Sequence, residues 1–138
     1  MPFKHIIDNQ KNIVVLKAKG RVSVVDIIAE IQEAINTRRG KGISRRLVDM
    51  TEQDLLFSRE DGEKIVKMIK ASADILGARK MAILLKEIPD EVELIRPLLK
   101  NPGLAIEFFT DKADAARFLS TPAKTKKKKK PKKRKPGA

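Results

Sequence analysis

A single α/β domain on a mainly parallel sheet is the architecture expected of these 138 residues, and three observations point to it. Short runs of β-branched and aliphatic residues alternate with stretches carrying apolar side chains at helical spacing, in the order ββαβαβαβα. The first two runs flank a turn-forming segment and read as a hairpin, which adds an antiparallel strand at one edge. The chain is long enough to enclose one core and too short for two ordinary domains. Strands linked through helices require right-handed crossovers, and helices are expected on both faces of the sheet.

The hairpin comprises Phe3 to Ile7 and the alternating Ile13 to Lys19, about the turn Asp8-Asn9-Gln10-Lys11-Asn12. Gly20 ends the second strand. Ser23, three residues before Asp26, makes a capping-box pattern. Val24, Ile27, Ile28, Ile31 and Ile35 then recur with a 3.6 period, which predicts a helix over Val24 to Thr37. Gly40 and Gly42 break it, and Arg45 to Met50 reads as a strand with a buried middle. After a loop, Ser58 with Asp61 three residues on starts a second helix. Its inward stripe is Ile65, Met68, Ile69, Ser72 and Leu76, and Gly77 ends it. Lys80 to Leu85 is the clearest buried strand. Pro89-Asp90 opens a third helical stretch to about Leu99, bent or shortened by Pro97 and closed by Asn101-Pro102-Gly103. Leu104 to Phe109 is the last strand. Asp111 heads a short helix with Ala115, Phe118 and Leu119 facing inward, and Thr121-Pro122 ends it.

Charge divides the chain in two. Lys and Arg number 31 against 18 Asp and Glu, a net charge of +13. Ten of the basic residues, and no acidic one, fall at the C-terminus: Lys124, Lys126, Lys127, Lys128, Lys129, Lys130, Lys132, Lys133, Arg134 and Lys135. The remainder is nearly balanced, so the chain reads as a domain over residues 1–121 and a basic Lys/Pro-rich tail over 122–138. The tail has no apolar residue between Lys124 and Pro136 and repels itself, so it is expected to be disordered when free. It is also expected to bind DNA, RNA or an anionic membrane through counterion release, with a log–log salt slope of about −0.9 per phosphate neutralised on duplex DNA. Such a segment senses charge and not base sequence.

Several chemistries are excluded by composition. Without cysteine there is no disulfide, thiol nucleophile, iron–sulfur cluster or zinc–thiolate site. His5 is the single histidine; on an edge strand it reads as structural or solvated. Asp49, Glu52 and Asp54 have no convergent partners for a divalent cation, so neither metal nor cofactor is expected. No run approaches the roughly 18 apolar residues of a membrane span, and Met1 to His5 lacks a signal peptide's apolar centre, which points to a cytoplasmic protein. With no Trp or Tyr and five Phe, platforms for stacking single-stranded bases are missing. No nucleophile–base pair is present, so no catalytic residue is assigned and the protein is read as non-enzymatic. Arg38, Arg39, Lys41, Arg45 and Arg46 lie within nine positions but in the wrong order, and the wrong helix–strand context, for a phosphate loop. They either complement a helix C-terminus or form a secondary anion patch.

The hairpin, the strand Leu47-Val48-Asp49-Met50 with its loop into a helix near Ser58, the strand Met81-Ala82-Ile83-Leu84-Leu85 and the closing Phe108-Phe109-Thr110-Asp111-Lys112-Ala113-Asp114-Ala115-Ala116-Arg117-Phe118-Leu119 together resemble the STAS domain family. The resemblance covers about residues 1–120 and is to the sporulation-antagonist-like branch of small bacterial proteins. It implies a regulatory module that binds a protein partner. In the anti-sigma factor antagonists a serine at the N-terminus of the second helix is phosphorylated by a partner kinase; Ser58 stands at the matching place, with Thr51 as a second candidate. A helix N-terminus suits a phosphate, although an N-cap is the plain structural role of such a serine. With Asp49, Glu52, Asp54, Arg59, Lys86 and Glu87, these residues lie beyond the C-terminal ends of strands, where open α/β sheets place partner surfaces, and are expected to form one docking patch. The function expected is an adaptor tethered by its tail to nucleic acid or acidic membrane. A Ser58 phospho-switch is one alternative. A carrier is the other, since some relatives of this fold enclose a hydrophobic ligand.

Overall fold

The computed structural model describes residues 3–53, 58–100 and 103–121. Five strands form one sheet in sequential order: β1 (Phe3–Asp8), β2 (Ile13–Ala18), β3 (Arg45–Met50), β4 (Lys80–Leu85) and β5 (Ala105–Phe109). β1 runs antiparallel to β2 and every other pair is parallel. The mixed sheet of an α/β domain, as the alternating pattern predicts, is thus observed. The helices are α1 (Val24–Thr37), α2 (Arg59–Leu76), α3 (Glu91–Ile95) and α4 (Lys112–Ser120).

Local signals set most boundaries. Ser23 Oγ accepts from Asp26 N at 3.2 Å while Asp26 Oδ2 accepts from Ser23 N at 3.0 Å, the reciprocal capping box that starts α1. Ser58 and Asp111 cap α2 and α4 by accepting from Asp61 N and Ala113 N. Gly77 ends α2 at φ 81°, where a side chain would be strained. Pro97 turns the end of α3 into a 3-10 turn at Arg96–Leu99. On α2 the buried side includes Val66 and Ala73, while Met68, assigned to the inward stripe from spacing, is only half-buried.

Sequential strand order decides where the helices go. When each right-handed crossover steps the same way across the sheet, every crossover helix falls on the same face. α1, α2 and α3 accordingly pack side by side on one face, and α4, which crosses over to nothing, lies on the other against β3, β4 and β5. Helices do cover both faces, but unequally. On the α4 side, Ala82 and Ala115 are 0% exposed, and their small side chains let helix and strand meet closely. Leu84, Leu119, Phe109 and Phe118 close around them, the two rings 5.4 Å apart. On the three-helix side the core is split. Phe3, Ala18, Met50, Leu85 and Val92 form one cluster, and Ala73, Ala78, Met81 and Leu104 another. Val48 and Ile83 touch both and are only partly buried.

Candidate functional site

Strand alternation and register place His5, Leu16, Val48, Ile83 and Phe108 in one row across all five strands, facing α1 and α2. The middle row of a helix-covered face is ordinarily buried outright. Every member of this row is only half-buried. His5 and Phe108 are on the two edge strands, and the interior members Leu16, Val48 and Ile83 face a gap beneath α1 and α2, which pack against each other. Between the layers is a cavity of about 170 Å³. Leu16, Val48, Met81, Ile83 and Phe108 line it from the sheet, Ile27, Ile31 and Ala34 from α1, and Ile65, Val66, Ile69 and Ala73 from α2. An engineered apolar cavity of roughly 150 Å³ is large enough to bind benzene.

Four ionisable side chains interrupt this apolar lining: His5, Glu30, Arg39 and Arg46. Glu30 sits on the apolar stripe of α1, three residues after Ile27 and four before Ala34, and is 8% exposed. Its Oε2 lies 2.6 Å from His5 Nε2 and accepts from Arg39 Nη1 at 2.7 Å. Arg39 Nη1 is itself 2.6 Å from the same ring nitrogen. Arg39 reaches this point because Arg38, in the left-handed region at φ 55°, ends α1 and turns the chain back.

Arg46 enters from β3, in register between Val14 and Met81. Its Nη2 donates to the Gly40 carbonyl at 2.8 Å. Its Nε is buried and has no hydrogen-bond partner among the described residues. Desolvation lowers the guanidinium from its ordinary value, yet an arginine in a protein stays ionised. The polar end therefore sets two arginines against one glutamate, an excess of one positive charge when His5 is neutral.

The expected docking patch is at the opposite end of the strands. There Asp49 Oδ1 accepts from Thr51 N at 3.0 Å and from Thr51 Oγ1 at 2.6 Å, a self-contained turn. Lys17 pairs with Glu52 at 3.5 Å. Buried Gln53 accepts from Val22 N and donates to the Gly20 carbonyl, which ties the loop after β3 to the one after β2. Ser58 is exposed with its hydroxyl engaged in the cap, and Arg59 pairs with Glu63 along α2. Lys86 and Glu87 are exposed just after β4. Asp54 and the ten basic tail residues lie outside the described residues.

The five basic residues read as a secondary anion patch are dispersed. Arg38 and Lys41 are exposed and Arg39 bonds Glu30. Arg45 and Arg46 leave opposite faces of the sheet, Arg45 donating to the Leu119 carbonyl under α4 at 3.3 Å. His5, read as structural or solvated, belongs to the cavity's polar cluster. Glu30 was not singled out from sequence, although an acid at i+3 from Ile27 on an apolar stripe is a visible signal. Nothing in the local sequence distinguishes Arg46 from Arg45. Among the described residues no helix is long and apolar enough to cross a membrane. No family model matches this chain, and no curated protein matches it.

Proposed function

We propose that this chain is a non-enzymatic binding protein that holds an apolar small molecule between its sheet and helices α1 and α2. The cavity carries the reading. Apolar side chains that face an unfilled gap forfeit packing contacts on that side. An occupant that restores those contacts offsets the loss. The resemblance to STAS domains agrees with this, since some relatives of the fold enclose hydrophobic ligands. Val48 stands at the middle of the half-buried row, so Val48→Phe fills the space from within. Calorimetric titration with decanol, a neutral probe, is expected to show binding to the wild-type chain and at least roughly tenfold weaker binding to a folded Val48→Phe variant. Equal binding by the two would refute the cavity as the site.

A second property is supported by charge. Ten cations and no acid in residues 124–138 suit a polyanion, so the same chain is proposed to associate with nucleic acid or an anionic membrane surface. Truncation after Ala123 is expected to abolish binding to duplex DNA and to anionic vesicles, along with its salt dependence. Retention by the truncated chain would move that contact to the domain.

A further inference from the structure

We infer that the cavity's ligand is a single-chain aliphatic carboxylate, with its head on Arg46 and its chain along Val48, Ile83 and Phe108. This rests on the cavity being a ligand site, and adds the chemistry of the head group. Among the described residues, Arg46 is the cation in the lining with no carboxylate partner. Arg39 is bonded to Glu30, whereas Arg46 gives one N–H to the Gly40 carbonyl and keeps a buried Nε–H without a partner among the described residues. A guanidinium presents its donors as a planar fork, which fits the two oxygens of a carboxylate. Glu30 in the same lining leaves an excess of one positive charge, which balances a monoanion; a phosphate dianion would place surplus negative charge beside a carboxylate. The apolar path from Arg46 on β3 to Phe108 on β5 crosses two strand spacings and advances two residues along the strands, about 12 Å, the reach of a medium-length chain.

The test compares decanoate with decanol by calorimetric titration of the full-length chain at equal ionic strength. Decanoate is expected to bind about tenfold or more tightly than decanol. In Arg46→Gln, with its fold checked by circular dichroism, the ratio of decanoate to decanol affinity should fall to about one. Equal affinities in the wild type would overturn the head-group assignment and leave the apolar site standing. The same holds for a preference that survives in Arg46→Gln, which would trace to the basic tail. Binding of neither probe would remove the ligand reading itself. A second measurement needs no variant: the Arg46 Nε–H resonance should shift on adding decanoate and not decanol, and an unmoved resonance counts against the proposal even if Arg46→Gln fails to fold.

Discussion

Gly40 shows how one missing side chain shapes the polar end of the cavity. It sits at φ 70°, and a Cβ there would lie 2.7 Å from Val14 Cγ2 and 3.3 Å from Arg46 Nη2. Backbone strain and that collision act together, so Gly40→Ala is expected to lower stability by about 2 kcal/mol, read as a shift in the urea midpoint at unchanged slope. Ser58 separates two roles by a simple pair of variants. If its hydroxyl acts as the cap seen in its bond from Asp61 N, Ser58→Ala costs about 1 kcal/mol, while Ser58→Asp, which caps equally well, stays within a few tenths. A phospho-switch of the anti-sigma-antagonist kind needs more than this: mass spectrometry after kinase treatment must find phosphate on Ser58 or Thr51. Glu30 was legible in principle, as an acid on an apolar helix stripe. Arg46 was not, because only the register of the strand decides which of two neighbouring arginines faces α1 and α2 and which faces α4.

The two helical layers meet the sheet differently, and side-chain size explains why. α4 meets β4 through Ala115 on Ala82, so it settles directly onto the strands. Its C-terminal carbonyls are held by Lys80, whose Nζ donates to Phe118 O at 2.8 Å and to Thr121 O and Oγ1, each at 2.5 Å. Lys80 is 7% exposed, and a cation at a helix C-terminus is favoured by the helix dipole. Lys80→Met preserves most of the volume and removes the donor. The expected loss is about 1–3 kcal/mol, with amide exchange accelerating most across residues 117–121. α1 and α2 instead present Ile27, Ile31, Ile65 and Ile69 to the sheet, and these branched side chains line the cavity between the layers. The capping box of α1, the N-caps Ser58 and Asp111, Pro97 and Gly77 are punctuation that acts over a few residues, so helix ends were readable. The depth of each layer was not, because it depends on which side chains face each other across the sheet.

The 138 residues combine a layered domain with a segment of quite different composition. Among the described residues α4 packs on β3, β4 and β5 and no helix packs on the same face of β1 and β2, where Ile6 is 47% exposed. Both core layers are made within residues 3–121, so truncation after Thr121 is expected to shift the melting temperature by less than about 2 °C, within the range of surface changes. A larger shift would show that the tail contributes to the fold.

Periodicity, capping residues and turn glycines determined the number, type and order of the elements, and the charge run marked off the tail, because each is written in residues close together along the chain. Which helices share a face, the gap between α1, α2 and the sheet, and the meeting of His5, Glu30, Arg39 and Arg46 were settled only by tertiary structure. The Glu30–His5 contact joins residues 25 apart in the chain, on different elements. Such encounters follow from crossover handedness, strand register and the bulk of facing side chains, and these act across layers rather than along the sequence.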